Sequence, residues 1–305
     1  MGSDYIPDLM WNSILINNMK KLHFLIVLII SLFMSSKSLA QTKRALVIGL
    51  GEHEDSAWNK INGDKDVPYV LEFLNNANYE QIVTLVNEQA TKDSIVAAFR
   101  SLEQSCRPDD IVYVHYSGHG QQMRDVSDDE PDDLDECWIP YDAYRKPCEK
   151  DMGEKHLTDD EVNLMLNNIR DKIGENGKML VVVDACHSGD ATRGPGETAR
   201  GVEEIFEAIK SYFNISSDTD DVNAERWITL SACESHQVNI EMKDPEVGKL
   251  TYALYSKITD NEVGDNESFF KKIRMFVNMN TSSRPQRPVM SGDDKDKYNI
   301  TDILR

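Results

Sequence analysis

The chain has a marked deficit of positive charge. Its 33 Lys and Arg residues are outnumbered by 53 Asp and Glu residues, which gives a formal net charge of -20 at pH 7. A surface of this sign repels a polyanion, and no stretch gathers basic side chains into a patch, so nucleic acid is excluded as an expected partner. Cationic substrates or divalent metal ions suit this charge better.

Cysteine is also scarce. The chain has five cysteines, at positions 106, 137, 148, 186 and 233, and no CxxC or Cys/His spacing that indicates a zinc site. A chain of this length can bury a sizeable core without disulfides, and an odd number of cysteines leaves at least one unpaired within the chain. The sequence context favours Cys186 as a thiol with chemistry of its own.

A hydrophobic run long enough to span a bilayer comfortably is missing. The apolar stretch at residues 22–34 is shorter than the ~20 residues of a transmembrane helix. Two lysines precede it and Ser38-Leu39-Ala40 follows, a pattern typical of a secretory signal peptide cleaved after Ala40. We therefore interpret residues 1–18 as a non-native or over-extended segment and residues 19–40 as a signal peptide. The mature protein is expected to be secreted or periplasmic, without a stable membrane span; an uncleaved anchor is the alternative.

From residue 43 onwards, short β-branched runs alternate with helical patterns. The runs at residues 44–50, 81–86, 110–116, 178–184 and 226–231 are nearly continuous in apolar residues, as in strands covered on both faces. Residues 67–77, 91–104 and 158–172 have helical spacing, and Thr91 and Thr158 supply helix start signals. This order predicts an α/β fold with a largely parallel sheet flanked by helices.

Polar chemistry follows two of these predicted strands. IVYVHYSGHG, residues 111–120, ends with Ser117, His119 and Gly120, and MLVVVDACHSG, residues 179–189, breaks at Asp184 and Cys186. Ligands bind beyond the carboxyl ends of parallel strands, so one shared site is expected. A thiolate is a nucleophile, and a nearby imidazole can accept its proton or stabilise it as an ion pair.

The motifs YSGHGQQ and DACHSG, in this order, resemble those of metacaspases, which are caspase-like cysteine peptidases. KRALVIGLG, INGDKDV, WITLSACESHQ and GKLTYALYSKI resemble further segments of the family, so the resemblance covers about residues 43–290. It implies a caspase-like three-layer sandwich with a mostly parallel sheet of about six strands flanked by helices. Within a peptidase domain at residues 41–305, it implies a large-subunit-like part (43–190), a linker (191–225) and a small-subunit-like part (226–290).

The resemblance also implies the roles of the site residues. His119 is the general base, Cys186 the nucleophile, and the backbone N–H groups of Gly120 and Cys186 form the oxyanion hole. The family uses a dyad, so no third orienting residue is required, and no cofactor is needed for the chemistry.

Two acidic residues predict the substrate specificity. Asp184 precedes Cys186 by two residues, so strand alternation puts both side chains on related sides of the strand end. The resemblance implies that Asp66, in INGDKDV, is the second acid of the pocket, and Ser117 is expected to bind substrate with them. Two carboxylates favour Arg or Lys immediately before the cleaved bond. The alternative for Asp66 is a helix N-cap.

The linker offers cleavage sites of this kind. It is expected to be exposed at both ends, with a helical pattern at residues 202–213 between them. Arg193, Arg200 and Lys210 would suit self-cleavage, while a linker that stays intact is the alternative.

Acidic residues around DVSDDEPDDLDECW, residues 125–138, suggest calcium as an activator. Hard oxygen ligands suit Ca²⁺, although the spacing is not that of an EF-hand loop. Resemblance to calcium-dependent metacaspases implies Asp135, Asp159 and Asp160 as ligands. A solvated acidic loop followed by a helix N-cap is the alternative.

These observations together predict a secreted caspase-like cysteine endopeptidase that cleaves peptide or protein substrates after Arg or Lys through an acyl-enzyme. Two alternatives remain. A peptide ligase or transpeptidase would use the same acyl-enzyme, because an amine can resolve it as easily as water. A catalytically silent binding module would be expected to lack the cysteine or the histidine, and both are present.

Overall fold

The structure is a computed structural model that describes residues 19–21, 41–124, 134–186, 197–202, 205–206, 224–234, 237–262, 264–280 and 285–305. The chain divides into two units, Met1–Gln41 and Thr42–Arg305. Residues 1–18 and most of the predicted signal peptide lie outside the described residues. No helix within the described ranges is long and apolar enough to cross a membrane. The signal peptide and the division into subunit-like parts stay predictions.

The second unit contains nine strands, six α-helices and a short 3-10 helix (Asn87–Gln89) within its described residues. The strands are β1 (Lys43–Gly49), β2 (Gln81–Val86), β3 (Ile111–Ser117), β4 (Gly120–Arg124), β5 (Leu134–Trp138), β6 (Leu157–Thr158), β7 (Lys178–Asp184), β8 (Ile228–Ser231) and β9 (Val289–Ser291). The helices are α1 (Gly63–Asn76), α2 (Lys92–Ser105), α3 (Asp159–Ile173), α4 (Lys249–Thr259), α5 (Asn266–Met279) and α6 (Thr301–Leu304).

A six-stranded sheet forms the middle layer, in the order β2-β1-β3-β7-β8-β9. The first five strands of this order pair in parallel, and β9 pairs antiparallel with β8. The strands β1, β3 and β7 are buried along nearly their whole length, as their continuous apolar runs require. The predicted α/β fold with a mostly parallel sheet is confirmed.

Helices cover both faces of this sheet. On one face, α1, α4 and α5 contribute side chains such as Phe73, Leu250 and Phe269 to a common core. On the other face, α2 and α3 pack through residues such as Phe99 and Leu166. The predicted starts of α2 and α3 are confirmed, because Thr91 and Thr158 are their N-caps, and each side chain accepts a hydrogen bond from a backbone N–H of the first turn.

A small antiparallel sheet in the order β4-β5-β6 lies outside the sequence prediction. Its first strand begins at Gly120, directly after His119, and is therefore attached to the carboxyl end of β3. The Tyr116 ring stacks on Trp138 of β5, with 4.4 Å between centroids. The Tyr116 hydroxyl donates to the carbonyl oxygen of His119 at 2.6 Å. These contacts fix the turn that carries His119 between the two sheets.

All five cysteines lie within the described part of the chain, and none of them forms a disulfide there. The fold is therefore held by its two apolar cores rather than by disulfides, as expected for a chain of this size.

Candidate active site

His119 and Cys186 lie at the same edge of the central sheet. Each follows its strand by two residues, and β3 and β7 are parallel neighbours with Ser117 opposite Asp184. Both side chains are buried. The structure thus brings the two candidate catalytic residues to adjacent strand ends.

The surroundings of His119 fix its tautomer. Its Nε2 atom lies 2.8 Å from the carbonyl oxygen of Asn59. A carbonyl oxygen can only accept, so Nε2 carries the proton, and in the neutral imidazole Nδ1 is the basic nitrogen. The rings of Trp58 and His53 lie 5.1 and 5.4 Å from the imidazole centroid. These contacts orient the ring, so that Nδ1 can act as a base.

The backbone of Arg200 binds at the two predicted oxyanion-hole groups. The N–H groups of Gly120 and Cys186 both donate to the carbonyl oxygen of Arg200, at 3.1 and 3.2 Å. Two donors on one carbonyl oxygen polarise it toward attack. The next residue, Gly201, packs against the cysteine so closely that a Cβ atom there would lie 2.6 Å from Cys186 Sγ. The Arg200–Gly201 peptide bond therefore lies against the candidate nucleophile.

The Arg200 side chain enters an acidic pocket formed by the three residues predicted to bind substrate and by Glu241. Its Nη1 atom lies 2.7 Å from Asp66 Oδ2, 2.6 Å from Ser117 Oγ and 3.4 Å from Asp184 Oδ1. Its Nε atom donates to Glu241 Oε1 at 3.0 Å. All five side chains are buried. The pocket thus holds a desolvated guanidinium among three carboxylates.

The residues before the candidate cleavage site bind in an extended conformation. The N–H of Arg200 donates to the carbonyl oxygen of Asn239 at 3.0 Å, and the N–H of Glu241 donates to that of Thr198 at 2.9 Å. Ala199 forms an antiparallel bridge with Ile240. This short ladder is the mode in which an extended peptide adds a strand to a neighbouring segment. Residues 198–200 are therefore bound as a peptide substrate would be.

Comparison with known proteins identifies the family. The caspase domain profile matches residues 42–299. This chain belongs to the caspase domain family. It is a metacaspase-like member, and the family is one of cysteine-type endopeptidases. The resemblance found in the sequence is thus confirmed.

Three curated relatives place the chain among metacaspases. Metacaspase-1 of Meyerozyma guilliermondii is 24% identical over 86% of this chain and 72% of its own length. Metacaspase-1B of Aspergillus fumigatus is 30% identical, over 56% of this chain and 44% of its own length. Metacaspase-2 of Trypanosoma brucei brucei is 27% identical, over 67% of this chain and 57% of its own length. The chain thus spans about half the length of the last two relatives.

A solved structure supports the caspase-like fold. A protein from Geobacter sulfurreducens superposes with a TM-score of 0.60 at 22% identity, and the match covers 82% of this chain and 92% of that one. At this identity the likeness concerns the fold alone.

Several residues that build the pocket of this caspase domain were not predicted from the sequence. The amide of Asn239 donates to Asp184 Oδ1 at 2.7 Å, and the N–H and hydroxyl of Thr251 donate to Asp184 Oδ2 at 2.8 and 2.7 Å. The N–H of Gly248 donates to Asp66 Oδ1 at 2.8 Å. Gly248 is the N-cap of α4, so the helix directs N–H groups and the positive end of its dipole at the two carboxylates.

The position of Gly248 also requires the absence of a side chain. A Cβ atom there would overlap Asp184 Oδ2 and lie 2.6 Å from Arg200 Nη1. Asn239 and Glu241 lie in an irregular segment, and Thr251 lies in the helix that follows, α4. No sequence motif marks any of the three as a pocket residue. Gly248 and Thr251 fall within GKLTYALYSKI, which suggested family membership but no role.

Burial and charge act differently on the two pocket aspartates. Burial raises the pKa of Asp66 to about 6, although the Arg200 guanidinium favours its charged form. Burial also disfavours the charged form of Asp184, but Arg200 and the hydrogen bonds from Asn239 and Thr251 outweigh it and hold the pKa of Asp184 below its usual value. The lowered pKa favours the charged form of Asp184, whereas the pKa of Asp66 is raised to about 6.

The alternative interpretation of Asp66 as a helix N-cap is wrong. The N-cap of α1 is Asn62, and Asp66 lies in the first turn with its side chain in the pocket. The cap position was misjudged because the helix begins before the apolar periodicity becomes visible.

The predicted calcium ligands are only partly described. Asp159 and Asp160 form the first turn of α3, and the N–H of Asp160 donates to Asp159 Oδ1 at 3.1 Å. Cys137 of β5 pairs with Thr158 of β6, so the backbone of Asp135, two residues before Cys137, runs beside the start of α3. The Asp135 side chain lies outside the described part, as do Arg193 and Lys210. Among the described residues no group of three or more His, Cys, Asp or Glu side chains could hold a metal ion.

We expect arginine binding in this pocket to strengthen as the pH rises through about 6 and above. Asp66 has a pKa of about 6 with a guanidinium beside it, and removal of that cation raises the pKa further because Arg200 favours the charged carboxylate. An Arg200→Ala, Cys186→Ala chain offers an empty pocket without turnover. Calorimetric titration between pH 5 and 9 with a single blocked arginine, which needs the side-chain pocket but not the backbone ladder, measures the effect.

Replacement of Asp66 by Asn in that chain should weaken binding by on the order of tenfold or more and flatten the pH profile, because a charge-assisted hydrogen bond is lost. Asp64→Asn, the same change two residues earlier on α1, is the matched control and should keep the slope. A pH slope that survives Asp66→Asn would contradict the assignment.

Proposed function

We propose that this chain is a cysteine endopeptidase that cleaves after Arg or Lys with Cys186 as nucleophile and His119 as base, and that its own Arg200–Gly201 bond is its first substrate. One observation carries the proposal. The Arg200 side chain lies between Asp66 and Asp184 while its carbonyl oxygen accepts from the N–H groups of Gly120 and Cys186. In one residue, Arg200, the side chain is thus bound by the acids and the carbonyl group is held by two donors.

The chemistry follows from these positions. His119 Nδ1 takes the thiol proton, and Cys186 Sγ attacks the carbonyl carbon of the residue in the pocket. The oxygen becomes an oxyanion that the N–H groups of Gly120 and Cys186 stabilise. The C–N bond breaks, and the leaving amine receives the proton from His119, which leaves a thioester acyl-enzyme. Water then gives a proton to His119 and attacks the thioester, the C–S bond breaks to release the carboxylic acid, and His119 returns the proton to Cys186 Sγ.

The shape of the pocket favours arginine over lysine. Glu241 accepts from Nε of the guanidinium, whereas Asp66 and Ser117 bind Nη1. A lysine ammonium can satisfy the acids around Nη1 but has no donor at the Nε position. An aspartate side chain would meet only like charge and is excluded. We therefore infer arginine first, lysine second, and no cleavage after acidic residues.

The intact chain is a self-blocked precursor under this proposal. Residues 198–201 fill the pocket, the oxyanion hole and the neighbouring backbone ladder, so another polypeptide cannot bind there at the same time. Cleavage at Arg200–Gly201 removes one of the two covalent connections that hold residues 198–201 in the site, so that the site can exchange its occupant more readily. The secreted or periplasmic location belongs to the same proposal, and it is supported by the apolar run at residues 22–34 with its preceding lysines.

We expect the purified chain to cleave itself between Arg200 and Gly201. Mass spectrometry and N-terminal sequencing would find a fragment that begins at Gly201. Cys186→Ala should abolish the cleavage, a loss on the order of 10⁴-fold or more, and His119→Ala should cost nearly as much because the dyad acts as a unit.

Cys106→Ala serves as the control for loss of a thiol. Burial raises the pKa of Cys106 to about 12, so it is unreactive and its replacement should leave self-cleavage unchanged. Cleavage that persists in Cys186→Ala, or a first cut at another position, would contradict the proposal.

We also propose Ca²⁺ as an activator bound through Asp135, Asp159 and Asp160. The support is the position of the backbone: Asp159 and Asp160 begin α3, and Asp135 lies on the neighbouring strand β5, which pairs with β4 along its length and places Trp138 opposite Gly120. The hard oxygen ligands of this set suit Ca²⁺. Bound there, Ca²⁺ would neutralise carboxylates that otherwise repel one another beside β5.

We predict that chelation slows self-cleavage and that calcium restores it, with an affinity in the ~10⁻⁴–10⁻³ M range typical of extracellular sites. Magnesium at equal concentration is the control ion. The Asp159→Ala, Asp160→Ala chain should lose the response, whereas Asp171→Ala, which removes one acid at the far end of α3, should keep it. Full activity in chelator would contradict calcium activation and would mean that Asp159 and Asp160 only form the start of a helix.

A further inference from the structure

The segment after the Arg200–Gly201 bond binds along a free edge of the small sheet. Gly201 forms a parallel bridge with Gly120, and Phe206 forms one with Met123. The N–H of Phe206 donates to the carbonyl oxygen of Gln122 at 2.8 Å, and the N–H of Arg124 donates to that of Phe206 at 3.2 Å. β5 occupies the other edge of β4. The described residues that follow the bond therefore run parallel to β4.

This path differs from the helix predicted at residues 202–213. Val202 and Phe206 are four residues apart, which matches a helical face in the sequence. In the structure neither residue is helical, and Phe206 pairs with β4. Val202 and Phe206 instead pack with residues of the small sheet. The helix prediction is therefore wrong for these residues.

Phe206 is the deepest anchor of the segment. Its side chain is 1% exposed, whereas that of its neighbour Ile205 is 39% exposed. It packs in an apolar pocket, which we call the Phe206 pocket, formed with Trp58, Met123, Cys137, Ile139, Ala143 and Val202. The His156 ring lies 4.2 Å from the phenyl centroid. Phe206 is thus buried directly beside an exposed residue, Ile205.

Apart from Val202, the walls of the pocket are fixed independently of the linker. The indole N–H of Trp58 donates to the carbonyl oxygen of Ala143 at 3.0 Å, and His156 Nε2 lies 3.1 Å from Gln121 Oε1. Cys137 lies on β5, one residue before its end, and pairs with both Gln121 of β4 and Thr158 of β6. These walls belong to the peptidase fold itself, so the pocket persists when its occupant leaves.

The contacts on β4 are of the kind that any polypeptide can make. Backbone hydrogen bonds to a sheet edge carry no side-chain preference, while a pocket for one side chain does. The same stretch of chain places Arg200 in the acidic pocket. It places Phe206, which comes five residues after Gly201, in the apolar pocket. The two pockets therefore recognise positions on either side of one bond.

We propose that the Phe206 pocket is a substrate-binding site for an aromatic side chain at the sixth position after the cleaved bond, and that Phe206 occupies it in competition with substrates. The inference rests on the proposed function, since it extends the same substrate path. After cleavage at Arg200–Gly201, Phe206 remains tethered nearby at high effective concentration and keeps the pocket filled.

The test compares two peptides within each enzyme. One peptide carries the sequence of residues 197–208, ETARGVEEIFEA, and the other replaces its Phe by Ala. A short peptide that ends in Arg with a fluorogenic leaving group reports the acidic pocket alone. The enzymes are the self-cleaved parent, Phe206→Ala and the matched control Ile205→Ala.

In Phe206→Ala, kcat/KM for the Phe peptide should exceed that for the Ala peptide by on the order of tenfold or more, the worth of burying an aromatic side chain. In the parent and in Ile205→Ala, whose pocket is filled, the ratio should be close to one. Because each ratio is taken within one enzyme, loss of folded protein in a variant cancels.

The two proposals fail in different ways. If no enzyme cleaves the short arginine peptide, the proposed function is wrong. If all three cleave it and the ratio in Phe206→Ala equals that in the parent, the Phe206 pocket is part of the ordinary core and the inference is overturned.

Discussion

Burying a guanidinium costs free energy unless carboxylates surround it, and buried carboxylates cost as much unless a cation joins them. Arg200 and its three acids satisfy this condition mutually. Asp66 comes from α1, Asp184 from the end of β7 and Glu241 from the segment after β8, so one side chain connects parts of the chain that are far apart in sequence. Removal of one partner from a buried ion pair costs about 3–5 kcal/mol. The arrangement at the sheet edge therefore depends on the pocket being filled by a cation.

This charge constraint also fixes the register of the peptide. The guanidinium can reach Asp66 and Asp184 together only when the Arg200 backbone lies where its N–H meets Asn239 and its carbonyl oxygen meets Gly120 and Cys186. A slip by one residue would leave the acids unpaired and would place another side chain at Gly201, where even a Cβ atom overlaps the cysteine. The pairing of the guanidinium with its acids and the alignment of the Arg200–Gly201 bond thus have the same physical origin.

The sequence predicted the parts of this arrangement that depend on local pattern. The central strands were found because burial on both faces demands continuous apolar runs, and Thr91 and Thr158 were found because a helix cap is a local feature. His119 and Cys186 were found because polar residues directly follow buried strands. Asp184 followed from strand alternation, whereas Asp66 depended on the family resemblance.

The remainder depends on contacts between distant segments. β4, β5 and β6 are short and partly polar, and they are stable because they pair with each other and cover His119. Glu241 and Asn239 belong to a stretch without periodicity, and only its position beside residues 198–200 gives them a role. Phe206 was assigned to a helix because spacing alone cannot distinguish a helical face from a side chain anchored on a sheet edge.

A proton can partly substitute for the bound cation. With Arg200 in place, burial already brings the pKa of Asp66 to about 6, and the negative charge of Asp184 raises it in the same direction. When the guanidinium leaves, Asp66 loses the strongest influence that favours its charged form, while Asp184 keeps its hydrogen bonds from Asn239 and Thr251. The empty pocket is thus relieved by protonation of Asp66, and an arriving arginine must displace that proton. The pocket therefore couples arginine binding to proton release, and protonation of Asp66 leaves one fewer uncompensated buried charge when the guanidinium departs.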